Sequence, residues 1–192
     1  MRPGIIGNLH TPLLETAMRG QIILSHGSDS GPDATKVSAL AAIAESLGWS
    51  TQRPDYREDD QQGYAGSVVP RVARLRAAID ALDAPPVLVG SSMGAFASGL
   101  ASLERPVAGL FLLATPVAIP GYQAAFDLRQ DVPSLLIHGW HDEMCPLDDL
   151  HDFARRRSLP LLVLDDDHRL SSSVETIGAQ FRLFLDSMAS DQ

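Results

Sequence analysis

The stretch Val87-Leu88-Val89-Gly90-Ser91-Ser92-Met93-Gly94 carries a serine with glycine two residues away on each side. An apolar run of strand type ends at Gly90, and Ala95, Phe96, Ala97, Leu100 and Ala101 continue at helical spacing. Strand, sharp turn and helix put Ser92 at the apex, with its hydroxyl held out at the end of a sheet. Glycine at 90 and 94 relieves the crowding that a side chain would create against the strand or the helix. The Met93 amide then opens a helix, where a developing oxyanion would find it. The chemistry in reach of such a serine is attack on a carbonyl, and its hydroxyl needs a base to take the proton.

The chain has six histidines. With the partners expected in the order serine, acid, histidine, His10, His26 and His138 come too early. His141, His151 and His168 remain, and His151 falls in a predicted surface helix. His168 sits in Asp165-Asp166-Asp167-His168-Arg169, directly after the last predicted strand and therefore at the same end of the sheet as Ser92. It is the expected base. The acid should also follow a strand, and His138-Gly139-Trp140-His141-Asp142-Glu143-Met144-Cys145-Pro146 does so. Asp142 is the choice to accept the histidine N–H, fix its tautomer and stabilise the imidazolium. Glu143 is the adjacent alternative, which periodicity does not separate from it. Asp165, Asp166 and Asp167 read as loop solvation. The amide of Ser28, in the polar loop after Gln21–Ser25, is the expected second oxyanion donor, with His26 shaping that turn. Gly27-Ser28-Asp29-Ser30-Gly31 repeats the glycine spacing around Asp29, but Pro32 interrupts any passage into a helix. Cys145 has neither a glycine-framed turn nor a base, and reads as a packed or loop thiol.

These residues need a scaffold that brings strand ends together. Short apolar runs at 21–25, 49–53, 87–90, 107–114, 133–138 and 160–164 read as strands. Between them, Asp33 can cap a helix carrying Val37, Leu40, Ala41, Ala44 and Leu47, with Gly48 as its stop. Residues 57–66 read as a loop. Val68, Val69, Val72, Leu75, Ile79 and Leu82 mark an amphipathic helix whose Arg71, Arg74, Arg76 and Asp80 form a solvated face. Further helices are expected over 147–157 and from a capping box at Ser172 and Glu175 to Met188. Ile5-Ile6 reads as a short edge strand. Alternation of this kind predicts an α/β fold: a doubly wound, mostly parallel sheet with helices on both faces and ligands at the carboxyl ends of the strands.

The 192 residues suit one domain, 1–192, with 45% hydrophobic and 20% charged residues. The lone cysteine excludes an internal disulfide and a cysteine-based zinc site. No run approaches the length needed to span a bilayer and the start does not read as a signal peptide, so a cytoplasmic protein is expected. A net charge of −9 argues against nucleic acid and anionic membrane as partners.

Gly90-Ser91-Ser92-Met93-Gly94, the His26-Gly27 loop, His138-Gly139-x-x-Asp142 ending in Pro146, and the Asp167-His168 turn together resemble the α/β-hydrolase family over residues 21–188. Small esterases, acyl-thioesterases and dienelactone-hydrolase-like members are the most similar. The resemblance implies Ser92, Asp142 and His168 as a triad, with the Met93 and Ser28 amides as the oxyanion hole. The chain departs from the family's usual pattern in having its N-terminal antiparallel strands shortened or missing and only a short segment where a cap domain is often inserted, and from dienelactone hydrolases in having serine where they use cysteine. The expected activity is cofactor-free and metal-free cleavage of small-molecule carboxylic esters through an acyl-enzyme. An acyl-thioesterase with the same triad and a non-catalytic binding protein of this fold are the alternatives. Tyr56, Val117, Ile119 and Tyr122 are the expected walls of an open cleft.

Overall fold

The structure, a computed structural model, describes residues 18–189. The Ile5-Ile6 strand expectation lies outside them. The elements in chain order are β1 (Gln21–Ser25), α1 (Thr35–Ser46), β2 (Ser50–Gln52), α2 (Arg57–Asp60), α3 (Gly63–Asp80), β3 (Val87–Ser91), α4 (Met93–Glu104), β4 (Gly109–Leu113), β5 (Ser134–Gly139), α5 (Leu147–Arg157), β6 (Leu161–Leu164) and α6 (Val174–Ala189). The strands form one sheet in the order β2-β1-β3-β4-β5-β6, every neighbouring pair parallel. Among the described residues the sheet has no antiparallel strand, and residues 114–133, where a cap could be inserted, contain no helix or strand.

The central strands β1, β3, β4 and β5 are mostly apolar because both faces are covered, as a parallel sheet requires, whereas the edge strand β2 is the polar Ser-Thr-Gln. Ile23, Leu88, Leu110, Leu112 and Leu136 pack on one face with α3, α4 and α5. Ile22, Leu24, Val87, Val89, Phe111, Leu113 and Ile137 pack on the other with α1 and α6. The register aligns Ser25 with Gly90, Ser91 with Leu113, and Gly139 with Leu164. The loops after β1, β3, β4, β5 and β6 therefore leave the sheet at one edge.

Several local expectations give way to tertiary contacts. Residues 57–66 hold α2 and the start of α3, because Asp59 and Asp60 accept the guanidinium groups of Arg74 and Arg71 and fix a polar segment that has no apolar period. Ala34, with no capping side chain, precedes α1, and Asp33 points to solvent. α6 begins at Val174, and the Ser173 carbonyl accepts the Ile177 N–H at 2.9 Å, so Ser172 is a residue too early to cap it. Gly48 does end its helix, at φ +84°. No helix of the described residues is long and apolar enough to cross a membrane.

The junction of β3 and α4 sets the tightest packing. A β-carbon on Gly94 would collide with the Ser25 carbonyl, and one on Gly90 would stand 2.5 Å from the Gly94 carbonyl oxygen. Neither contact can relax without moving backbone, so Gly94→Ala is expected to lower the unfolding free energy by about 3 kcal/mol or more. Urea titration checks this; a loss under about 1 kcal/mol would mean that α4 can withdraw from β1 at little cost.

Candidate active site

Ser92 occupies the turn between β3 and α4 at φ 54° and ψ −119°, a conformation that an L-residue holds only under constraint. The constraint is visible. Its N–H donates to the Leu113 carbonyl of β4 at 2.8 Å, and its own carbonyl accepts the Ala95 and Phe96 N–H groups at 2.9 and 3.0 Å. The hydroxyl is thereby aimed off the sheet edge and the Met93 amide starts the helix beside it.

His168 Nε2 lies 2.9 Å from Ser92 Oγ, and His168 Nδ1 lies 2.8 Å from Asp142 Oδ2. Asp142 is fully bound: its other oxygen accepts the Met144 and Cys145 N–H groups at 3.0 and 2.8 Å. Burial alone would raise its carboxyl, but the bonds from His168 and the Cys145 amide, with the nearby imidazoles, hold it below the ordinary carboxylate value. Glu143 is exposed, so the choice between the adjacent carboxylates falls on Asp142. Gly139 is what lets the two loops meet, since a β-carbon there would strike the Asp166 and Asp167 carbonyls. Asp166 is not loop solvation: it is 8% exposed and its Oδ1 accepts the Asp167 N–H at 2.8 Å. Lys36, from α1, donates to the Arg169 carbonyl and ties down the histidine turn from below.

The loop after β1 closes over the serine. A β-carbon on Gly27 would lie 3.4 Å from Ser92 Cβ, so Gly27 and Ser28 run alongside the apex. His26 is buried and neutral: its Nε2 accepts the Tyr56 N–H at 3.0 Å, its Nδ1–H donates to the Gly27 carbonyl at 2.8 Å, and burial lowers its pKa. Arg71 is the residue that sequence periodicity misassigned. It is 0% exposed, donates to the His26 and Gly27 carbonyls at 2.7 and 3.1 Å, forks onto Asp60 with 2.6 Å bonds, and stacks on Tyr56 at 4.6 Å. Its neighbours Arg74 and Arg76 are partly exposed and paired with Asp59 and Glu104. Removing one partner of so buried a pair typically costs about 3–5 kcal/mol.

The expected cleft walls are corrected in part. Tyr56 is 0% exposed, with its hydroxyl 2.9 Å from Ser25 Oγ, and supports the His26 loop from beneath. Ile119 is buried in the α3–α4 core, while Val117 and Tyr122 are half-buried against it, with Tyr122 edge-on to Phe96 at 6.0 Å. Exposed apolar surface beside the acid comes instead from Trp140 and Met144. A polar pocket of about 200 Å³ opens next to Ser28, lined also by Asp29, Asp60, Tyr64 and Ser67. A cavity of about 560 Å³ lies at the opposite end of the sheet, around Pro133, Leu135, Pro160 and Phe184. Asp142, Cys145 and His168 bring possible metal-ligand atoms within 4.8 Å of one another. Two of those atoms already bond each other, and burial pushes the Cys145 thiol up to about 12, so the thiol is protonated and a poor ligand.

A model of the alpha/beta hydrolase family matches residues 22–189. The chain belongs to the α/β hydrolase family. A crystal structure of an α/β-superfamily protein from Xanthomonas campestris pv. campestris is 41% identical, with a TM-score of 0.84 over 88% of this chain and 99% of that one. Est1E from Butyrivibrio proteoclasticus shares 17% identity at a TM-score of 0.72, over 92% of this α/β hydrolase and 90% of its own chain. A serine hydrolase without a lid from Xanthomonas campestris shares 15% identity at 0.67, over 90% and 85%. These last two likenesses show the fold alone. No curated protein matches this hydrolase.

Two buried imidazoles give the hydrolase a pH-dependent stability. Burial lowers the pKa of both His26 and His138 from the ordinary 6.5. The unfolded chain therefore takes up protons first as pH falls through 6.5, and their contribution, fully present above that value, is lost below it. The urea midpoint should fall between about pH 7.5 and about pH 5. A midpoint constant over that range would mean that the imidazoles charge as readily in the fold as outside it.

Proposed function

We propose that this α/β hydrolase is a serine hydrolase that cleaves carboxylic esters of small molecules. The observation that carries the reading is the unbroken chain from Ser92 Oγ through His168 to Asp142, with bonds of 2.9 and 2.8 Å. Each of its groups has a role. Ser92 Oγ attacks the ester carbonyl carbon while its proton passes to His168 Nε2. The carbonyl oxygen becomes an oxyanion, met by the Met93 and Ser28 amides. Asp142 keeps the His168 proton on Nδ1 before the attack and balances the imidazolium afterwards. The imidazolium then returns its proton to the departing alkoxide, leaving the acyl group on Ser92. A water deprotonated by the same Nε2 resolves the acyl-enzyme to acid and free serine.

The half-buried positions of Ser92 and His168 support access from solvent without a lid. Trp140 and Met144 offer apolar surface to the acyl or alkyl part of the ester, and the net charge of −9 disfavours polyanionic substrates. The lone cysteine supports a cytoplasmic location. A thioester presents the same carbonyl to the same groups, so a matched panel of esters and thioesters assigns the leaving atom. A binding role would not need a hydroxyl, an imidazole and a carboxylate aligned in this order.

A fluorophosphonate probe should label the wild type at Ser92, and labelling should vanish in Ser92→Ala and His168→Ala. Asp142→Asn should reduce kcat by about 10³–10⁴-fold on the best ester of the panel. A folded wild-type protein that neither labels nor hydrolyses any ester or thioester would overturn the reading.

A further inference from the structure

His138 is used by none of the steps above, yet its Nε2 stands 3.2 Å from the acid. It stands at the end of β5 with its side chain completely buried. Its Nε2 is 2.8 Å from the Cys145 carbonyl oxygen and 3.2 Å from Asp142 Oδ2. Both neighbours are acceptors only, so Nε2 must carry the hydrogen. Nδ1 is buried with no hydrogen-bond partner, and burial opposes the charged form, which together specify a neutral ring protonated at Nε2. Asp142 Oδ2 therefore sits between two imidazoles, His168 Nδ1 at 2.8 Å in front and His138 Nε2 behind.

We infer that His138 is a positioning residue, whose Nε2–H on the Cys145 carbonyl fixes the turn that carries Asp142, with the ring 3.2 Å behind Oδ2, so that Oδ2 meets His168. The inference rests on the serine-hydrolase reading for its effect on turnover. The backbone amides of Met144 and Cys145 hold Oδ1, and the Cys145 carbonyl that His138 holds belongs to the same turn. His138 reaches Asp142 across i,i+4, from the strand rather than from the turn, so the acid is referenced to the sheet that also carries Ser92. The other charged or titratable groups near this carboxylate are Cys145 on the same turn and Lys36 on α1.

The test compares His138→Phe, which keeps a ring of similar volume without a donor, with His138→Gln, whose amide N–H can reach the same place. Kinetics are normalised to the fraction of sites titrated by the fluorophosphonate probe. His138→Phe is expected to lower kcat by about 10–100-fold with KM within about twofold, and His138→Gln to restore most of it. The low-field proton resonance of the His168–Asp142 hydrogen bond should move or broaden in His138→Phe and return in His138→Gln. Wild-type kcat per titrated site and an unmoved resonance in His138→Phe would overturn the inference, even if the variant melts earlier. Should His138→Phe fail to fold, the ¹⁵N shifts of the wild-type ring decide: a neutral Nε2–H tautomer is expected, and an Nδ1–H tautomer or an imidazolium at neutral pH would overturn it. The resonance and the ¹⁵N shifts are read in the resting protein, so a wild type without hydrolase activity would refute the serine-hydrolase reading while these arms still judged His138.

Discussion

The close approach of α4 to β3 and β1 governs this molecule. At Gly90 and Gly94 backbone meets backbone with no room for a β-carbon, and Ser92 is driven into left-handed φ between them. Backbone strain of this kind typically costs about 1–3 kcal/mol. It persists because β4 holds the Ser92 amide and the first turn of α4 holds its carbonyl. One serine is thereby coupled to three parallel strands. Its hydroxyl direction is a property of the sheet rather than of a loop.

The groups around Ser92 are held by buried polar contacts, each anchored in regular structure. Arg71 reaches from α3 to clamp the His26-Gly27 carbonyls, and Asp60 neutralises it. Lys36 reaches from α1 to the histidine turn, and His138 reaches from β5 to the acid. Buried polar groups of this sort add little net stability against an apolar core of equal volume. What they fix is geometry, which a site using proton transfer over less than 3 Å needs. The hydrogen bonds from Ser92 to His168 and from His168 to Asp142 span 76 and 26 residues of chain, so only the tertiary frame can hold them.

The strands, the serine turn and the contact among Ser92, Asp142 and His168 were legible in the sequence because their signals are local. Apolar runs mark strands buried on both faces, flanking glycines mark the tight turn, and a histidine directly after the last strand is carried to the correct edge. What escaped was set by partners distant in the chain. Arg71 lies on the polar stripe of an amphipathic helix and resembles Arg74 and Arg76 in every local respect; only the loop above it, 44 residues away, makes it buried. α2 has no apolar period because ion pairs, not packing, hold it. Tyr56, an apolar ring with a hydroxyl beside a functional loop, suits a cleft wall as well as a support, and its bond to Ser25 decides for the support. His138 was set aside on chain order alone, which selects against a base but says nothing of a residue behind the acid.

On the proposed reading, the aligned Ser92, His168 and Asp142 work as one nucleophile and the reaction passes through an acyl-enzyme. Stopped-flow hydrolysis of an activated aryl ester, with intact-mass analysis of the quenched mixture, tests it most directly. A burst of phenol equal to the enzyme concentration is expected, with an added acyl mass that maps to Ser92. Ester turnover with no burst and no adduct, undiminished in Ser92→Ala, would contradict it.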